Sequence, residues 1–185
     1  MTWPGGKTYT GGFVHDEREG HGVSTQADGR KYTGEWKAGK PNGQGEEIWA
    51  DGKIYKGEFV AGAKHGKGEL TYPDGRQFIG TFKNGVKFGK GIETQKHGEW
   101  LKYEGKFENG IKDVEGKFTY SDGTKYSGKL KRGIRHGNGK LTWPDGKKYD
   151  GNFDDGKIDG QGSFIYPDGR KYKGYVKDGK PNGKG

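Results

Sequence analysis

The sequence contains no cysteine and a single methionine, only 26% of its residues are hydrophobic, and proline occurs six times in 185 residues. Without cysteine there is no disulfide framework and no thiolate metal site, which suits a reducing compartment. No stretch approaches the roughly 20 consecutive apolar residues that a membrane-spanning helix needs. The opening MTWPGGKTY lacks a basic segment followed by an apolar one, so no secretory leader is read there. So little apolar volume cannot fill a thick globular core. A mean hydropathy of -1.19 would ordinarily indicate disorder. The expectation is instead a soluble, cytoplasmic, ordered chain, for a reason that lies in what is abundant.

Glycine occurs 40 times and aromatic residues make up 14% of the chain, and both recur at fixed intervals. An aromatic residue at what is here termed position 1 falls on Tyr9, Tyr32, Tyr55, Phe78, Tyr103, Tyr126, Tyr149 and Tyr172, in steps of 23, 23, 23, 25, 23, 23 and 23 residues. Position 3 is always glycine, from Gly11 to Gly174, and position 5 is Phe13, Trp36, Phe59, Phe82, Phe107, Leu130, Phe153 and Val176. In an extended strand these three positions share a face, and the glycine leaves a gap into which a ring can lie flat. A loop with glycine at positions 8, 12 and 14 is expected next, where positive φ or close backbone approach is needed. A second strand then alternates apolar residues at positions 16 and 18, as in Leu70 and Tyr72, Phe118 and Tyr120, Leu141 and Trp143, and Phe164 and Tyr166. Asp-Gly follows at 28–29, 51–52, 74–75, 122–123, 145–146 and 168–169, a reverse-turn signal. The expected fold is all-β: an elongated single-layer antiparallel meander of β-hairpins over residues 1–185, its right-handed twist curling the aromatic face into a groove.

The string Y-x-G-x-[WF]-x-x-G-x-x-[HN]-G-x-G, seen in Tyr32–Gly45, Tyr55–Gly68 and Tyr126–Gly139 with Leu130 at the aromatic place, resembles the MORN (membrane occupation and recognition nexus) repeat. The resemblance covers essentially the whole chain. It implies single-layer antiparallel β arrays with no activity of their own. Relatives with this repeat occur at membrane contact sites, ahead of lipid kinases and a lysine methyltransferase, and in cytoskeletal and ciliary scaffolds.

Several departures from the repeat stand out. In the fourth repeat Glu93 and Gln95 replace the apolar pair, His97-Gly98 replaces Asp-Gly, and two extra residues bring in Trp100 and Leu101. Two readings are open: a worn repeat whose bulge bends the sheet, or a partner contact centred on Trp100. Val114 stands where glycine is usual, so that loop is expected to follow a different backbone path. At the ends, Thr2 to Tyr9 match the closing half of a repeat and Tyr172 to Gly185 only the opening half. Either the chain is part of a longer array, or of an enzyme whose catalytic part lies beyond Gly185, or complementary half repeats associate head to tail.

Catalysis needs groups converging from different parts of a fold, and a single layer offers little burial. No catalytic set, cofactor or metal is expected. His21, His65, His97 and His136 lack a second ligand at the usual spacing. Gly137-Asn138-Gly139-Lys140 is followed by Leu141, not by the Ser or Thr of a phosphate loop. The Asp154–Asp159 run does not match a calcium loop. What remains is binding. The expected protein-binding groove is lined by Trp36, Trp49, Tyr72, Phe82, Trp100, Phe107, Tyr120, Trp143 and Tyr166, and it would hold a partner protein or a second copy of this chain. The net charge of +9 also permits anionic phospholipid, through a rim of Arg30, Lys31, Arg76, Lys125, Lys147, Lys148, Arg170 and Lys171 that follows the Asp-Gly turns. Lys40, Lys64, Lys87, Lys112, Arg135 and Lys157 are assigned to loops on the opposite rim. Nucleic acid is not expected as a partner, because aromatics and cations fall on different parts of the repeat, whereas single-strand binders interleave them. A peripheral station at a membrane or cytoskeletal structure follows from the resemblance.

Overall fold

Alternation of side chains along each strand gives this chain one ring-bearing face and one polar face, and short reverse turns join each strand to the next. The computed structural model describes residues 1–183, and Gly185, where the last repeat breaks off, lies outside the described residues. Sixteen strands hydrogen-bond in sequence order into one open antiparallel sheet, and no helix occurs among the described residues. They are β1 Thr8–Val14, β2 Glu17–Thr25, β3 Lys31–Lys37, β4 Lys40–Ile48, β5 Ile54–Val60, β6 Ala63–Thr71, β7 Gln77–Lys83 and β8 Val86–Thr94. The second half comprises β9 Trp100–Glu108, β10 Ile111–Tyr120, β11 Lys125–Lys131, β12 Ile134–Thr142, β13 Lys148–Asp154, β14 Lys157–Ile165, β15 Lys171–Lys177 and β16 Lys180–Pro181. Packing divides the chain into two compact units, Met1–Gly89 and Lys90–Gly185, the division falling within the irregular fourth repeat.

The expected glycine-rich loop is much shorter than the glycine content implied. Only positions 7 and 8 turn, and both take positive φ, for example Ala38 (47°) with Gly39 (70°) and Arg132 (53°) with Gly133 (84°). That is the conformation of a two-residue hairpin whose twist matches its flanking strands. The second strand of the repeat starts at position 9, not after position 14. Position 12 is a bulge inside it: in the β5–β6 pair the register passes from Gly57↔Gly68 to Glu58↔His65, leaving Gly66 (φ 54°) and Lys67 unpaired. Val114 occupies this bulge position with φ 66°, close to Gly89 (66°) and Gly137 (64°). Its loop therefore keeps the common path, contrary to expectation, and the valine carries the strain.

The Asp-Gly turns form for a visible reason. The Asp carboxylate accepts the amide two residues on, as in Asp74 Oδ1 from Arg76 N at 3.0 Å and Asp122 Oδ1 from Thr124 N at 2.8 Å. In the fourth repeat the two extra residues are absorbed in a wider turn, closed by Gln95 N to Leu101 O (2.9 Å) and Gln95 Nε2 to Trp100 O (2.7 Å). At the N-terminus Thr2 bridges Thr8, and Trp3 N donates to Lys7 O as Trp143 N does to Lys147 O. The N-terminal segment thus makes the same turn bond as residues 143–147.

The core is a tiled floor on the ring-bearing face. The glycines of positions 3 and 14 pair in an unbroken row across the strands, Gly11–Gly22–Gly34–Gly45–Gly57–Gly68–Gly80 in the first unit. Gly105–Gly116–Gly128–Gly139–Gly151–Gly162–Gly174 forms the row in the second. Each position-1 tyrosine from Tyr9 to Tyr149 lies flat over its own two glycines. A Cβ on Gly68 would stand 2.5 Å from Tyr55 Oη, and one on Gly139 2.6 Å from Tyr126 Oη. The hydroxyl then donates to the carbonyl three residues on: Tyr55 to Glu58 at 2.9 Å, Tyr103 to Lys106 at 2.9 Å, Tyr149 to Asn152 at 3.0 Å. Within each unit position-5 rings stand edge-on against position-1 rings: Phe59 meets Tyr55 (5.1 Å) of its own repeat and Tyr32 (5.0 Å) of the preceding one, and Phe153 meets Tyr149 (5.4 Å) and Tyr126 (5.1 Å) likewise. This herringbone links adjacent repeats inside each unit.

Candidate binding face

Above the buried floor, the position-18 rings are only half-buried. They are Trp49, Tyr72, Tyr120, Trp143 and Tyr166, joined by Trp100. Of the nine residues assigned to the groove, these six present half-exposed rings, Trp49 and Tyr72 in the first unit and Trp100, Tyr120, Trp143 and Tyr166 in the second. The other three, Trp36 (4% exposed), Phe82 (1%) and Phe107 (2%), belong to the floor, where the edge-on packing of position 5 consumes their surface. Buried in this way, they offer no ring surface to a ligand.

Cations stand directly over these rings. Because the two-residue turn starts the second strand at position 9, position 10 faces the ring side, opposite position 5, as the pairs Phe59↔Lys64 and Leu130↔Arg135 show. Lys64 and Lys53 lie 4.9 and 4.5 Å from the Trp49 ring, Lys112 lies 3.9 Å from Trp100, and Arg135 lies 5.5 Å from Tyr120. From the turn side, Lys147 covers Trp143 (4.9 Å) and Tyr166 (5.5 Å), and Arg76 covers Tyr72 (4.7 Å). The separation of aromatics from cations, on which the argument against nucleic acid rested, does not hold on this face: the two alternate.

Within the second unit these side chains enclose two adjoining clefts. One, of about 760 Å³, is lined by Tyr120, Arg135, Leu141, Trp143 and Ile158 among others. The other, of about 550 Å³, is lined by Trp100, Lys112, Phe118, Tyr120 and Arg135, so Tyr120 and Arg135 are common walls. Arg135 is fixed by donating from Nη2 to Gly156 O at 2.6 Å. The floor acid Glu93 (7% exposed) pairs with Lys112 beneath Trp100 at 2.5 Å. In the first unit Glu47 takes the equivalent place beside Arg30 (3.3 Å). Burial pushes the Glu47 carboxyl up, with Arg30, Lys64 and Lys53 pulling it back, and burial likewise pushes Lys64 down. Where glutamate stands at position 16, as Glu47 and Glu93 do, an ion pair fills the space.

The residues assigned to a lipid-binding rim fall on both faces. Arg30, Arg76, Lys147 and Arg170 belong to the ring side, and Arg76 and Arg170 are each paired with their own turn aspartate at 2.7 Å. Lys31, Lys125, Lys148 and Lys171 immediately precede the inward tyrosines and so project from the polar face. On that side of β12 and the β13–β14 turn, the potential ligand atoms of His136, Asp154 and Asp155 lie within 4.8 Å of one another, a cross-strand grouping that no sequence spacing would reveal. His136 Nδ1 lies 3.3 Å from Asp154 Oδ1 without hydrogen-bond geometry, and both aspartates are exposed. No described helix is long and apolar enough to cross a membrane.

Comparison with known proteins bears on fold and family. The TCP domain of SAS-4 (dCPAP) of Drosophila melanogaster, solved in complex with a proline-rich motif of Ana2 (dSTIL), superposes with a TM-score of 0.55 at 11% identity, over 90% of this chain and 88% of that one. At that identity the likeness is one of fold alone. The TCP10 domain of Danio rerio CPAP, solved with a STIL peptide, aligns over 97% of this chain and 92% of that one at 16% identity, with a TM-score of only 0.35. No curated protein matches the chain significantly. The MORN repeat profile matches residues 9–29, 32–54, 55–75, 78–96, 103–125, 126–148, 149–169 and 172–185. With eight successive matches spanning nearly its whole length, the chain belongs to the MORN repeat family.

Proposed function

We propose that this protein is a non-catalytic scaffold that holds an extended segment of a partner protein along its ring-bearing face. The observation that carries the reading is the row of half-exposed rings bracketed by cations, Trp100, Tyr120 and Trp143 with Lys112, Arg135 and Lys147, around two clefts that share walls. Rings of this kind supply large contact area at low entropic cost. Flanking cations favour a segment that carries acidic residues beside its apolar or proline positions. The TCP domain of similar fold, solved with a proline-rich motif, is consistent with this chemistry. Self-association through the same face is the narrower version. The placement of relatives with this repeat fits a station at a membrane or cytoskeletal structure.

Phospholipid binding through the turn cations is supported less well, since they divide between two faces and two of them are neutralised by their own turns. The discriminating experiment is titration of a labelled peptide of about ten prolines flanked by glutamates into the chain and into a Tyr120→Ala/Trp143→Ala variant. Binding is expected to weaken at least about tenfold in the variant, while falling only modestly between low and physiological salt. Equal affinity of both proteins for the peptide would overturn the reading.

A further inference from the structure

The polar face of the second unit carries a charge pattern that the repeat itself does not require. Pairing aligns Lys102, Thr119, Lys125, Thr142 and Lys148 in one row across β9 to β13. Two residues further along each strand, Glu104, Lys117, Ser127, Lys140 and Asp150 form the next row. The rows lie about 7 Å apart, and like places in successive repeats about 10 Å apart. Lysines therefore border the intervening furrow alternately on one side and the other: Lys102, Lys117, Lys125, Lys140, Lys148. The equivalent rows of the first unit, across β3 to β7, read Lys31, Ile48, Ile54, Thr71, Gln77 and Thr33, Glu46, Lys56, Glu69, Ile79, with no such excess. A face that only needed solvation would not concentrate one sign in half of the array.

The furrow is concave. Two shallow clefts of about 410 and 210 Å³ share Lys140 and Thr142, and their linings include the hydroxyl residues Thr119, Ser127 and Ser163. All five lysines are exposed. Lys102 pairs with Glu104 at 3.2 Å and Lys140 with Asp150 at 2.9 Å, whereas Lys117, Lys125 and Lys148 have no carboxylate within ion-pairing distance among the described residues. Three positive charges are thus left uncompensated along one narrow track.

We infer that this furrow, bounded by Lys102, Lys117, Lys125, Lys140 and Lys148, docks an unstructured acidic polypeptide segment rich in glutamate or aspartate. A single extended chain fits between the rows and meets lysines on both sides, with hydroxyls beneath it to satisfy its backbone. A bilayer is flat and would meet Glu104 and Asp150 as squarely as the lysines. The rings lie on the other face, so nothing here stacks bases. The cations are lysines without arginine, which act as point charges and do not form the planar forks that recognise phosphate bidentately. This inference stands apart from the ring-face proposal, since it uses the opposite side of the sheet.

The test is fluorescence anisotropy with a labelled polyglutamate peptide of about twelve residues, at about 50 and 200 mM salt. Parallel arms use phosphatidylserine-containing vesicles and a random-sequence DNA duplex. Saturable peptide binding is expected, weakened by added salt and by at least about tenfold in a Lys117→Glu/Lys125→Glu/Lys140→Glu variant. The Tyr120→Ala/Trp143→Ala variant should bind the peptide as the parent does. Because charge reversal could disturb the sheet, a Lys117→Gln/Lys125→Gln/Lys140→Gln variant with unchanged circular dichroism and melting should show an intermediate loss. Undiminished peptide binding by both lysine variants would overturn the inference, as would binding of vesicles or duplex without binding of the peptide.

Discussion

At the scale of single residues, the repeat's tolerance is set by backbone conformation more than by side-chain chemistry. Val114 makes this measurable. It holds a bulge conformation (φ 66°) that other repeats give to glycine, and its side chain is half exposed, so it gains little packing in return. A left-handed L-residue costs about 1–2 kcal/mol, more when β-branched, while the extra unfolded-state freedom of glycine costs about 0.5–1 kcal/mol. Relief of strain should win. Val114→Gly is expected to stabilise the protein by about 1 kcal/mol and raise its melting temperature by a few degrees. A lower melting temperature in a thermal scan would show that the valine is not strained. Sequence reading marked Val114 as unusual but expected the backbone to move. It could not see that the bulge is held by pairing on both sides, which leaves the residue to bend to the site.

At the scale of the strand pair, tyrosine and glycine form one device: the ring lies flat because two facing glycines leave room, and its hydroxyl is anchored to a carbonyl beyond them. Burial disfavours ionisation of these hydroxyls. Those of Tyr103 and Tyr126 are pushed up to about 12, chiefly by burial, and those of Tyr32 and Tyr55 further still. In the unfolded chain they ionise near 10. The stabilisation is therefore complete below about pH 10 and is lost as pH rises towards 12, where the unfolded state gains tyrosinate first. Alkaline titration should show loss of strand circular dichroism in step with tyrosinate absorbance. Ionisation of all eleven tyrosines near the ordinary value with the sheet intact would contradict the flat-ring account. Much of this device was readable beforehand, because Tyr-x-Gly-x-Phe places two rings on one face with a gap between them. Two features were hidden. Glycine density disguised positions 9 to 14 as a loop, and without the true strand start the phase of position 10 was wrong, so Lys64, Lys112 and Arg135 were assigned to a rim when they lie over the rings. The burial of Trp36, Phe82 and Phe107 was likewise illegible, since the sequence alone does not distinguish a ring of the floor from a ring of the wall.

At the scale of the molecule, each strand among the described residues is hydrogen-bonded to the strands before and after it in sequence, and floor rings such as Phe59 reach their own repeat and an adjoining one. Tension between the two ends of either unit would run across the strands, so that bonds of one ladder at a time bear the load, with no set of ladders sheared together. Each released repeat of 23 residues would add roughly 70 Å of length, the extended span less the width it occupied in the sheet. Optical-tweezer traces should accordingly rise through a staircase of small, low-force lengthenings, and a single abrupt rupture at high force would refute this. A scaffold built on such a ladder yields by degrees under pull and can lose a repeat at one end while the remainder keeps its grip.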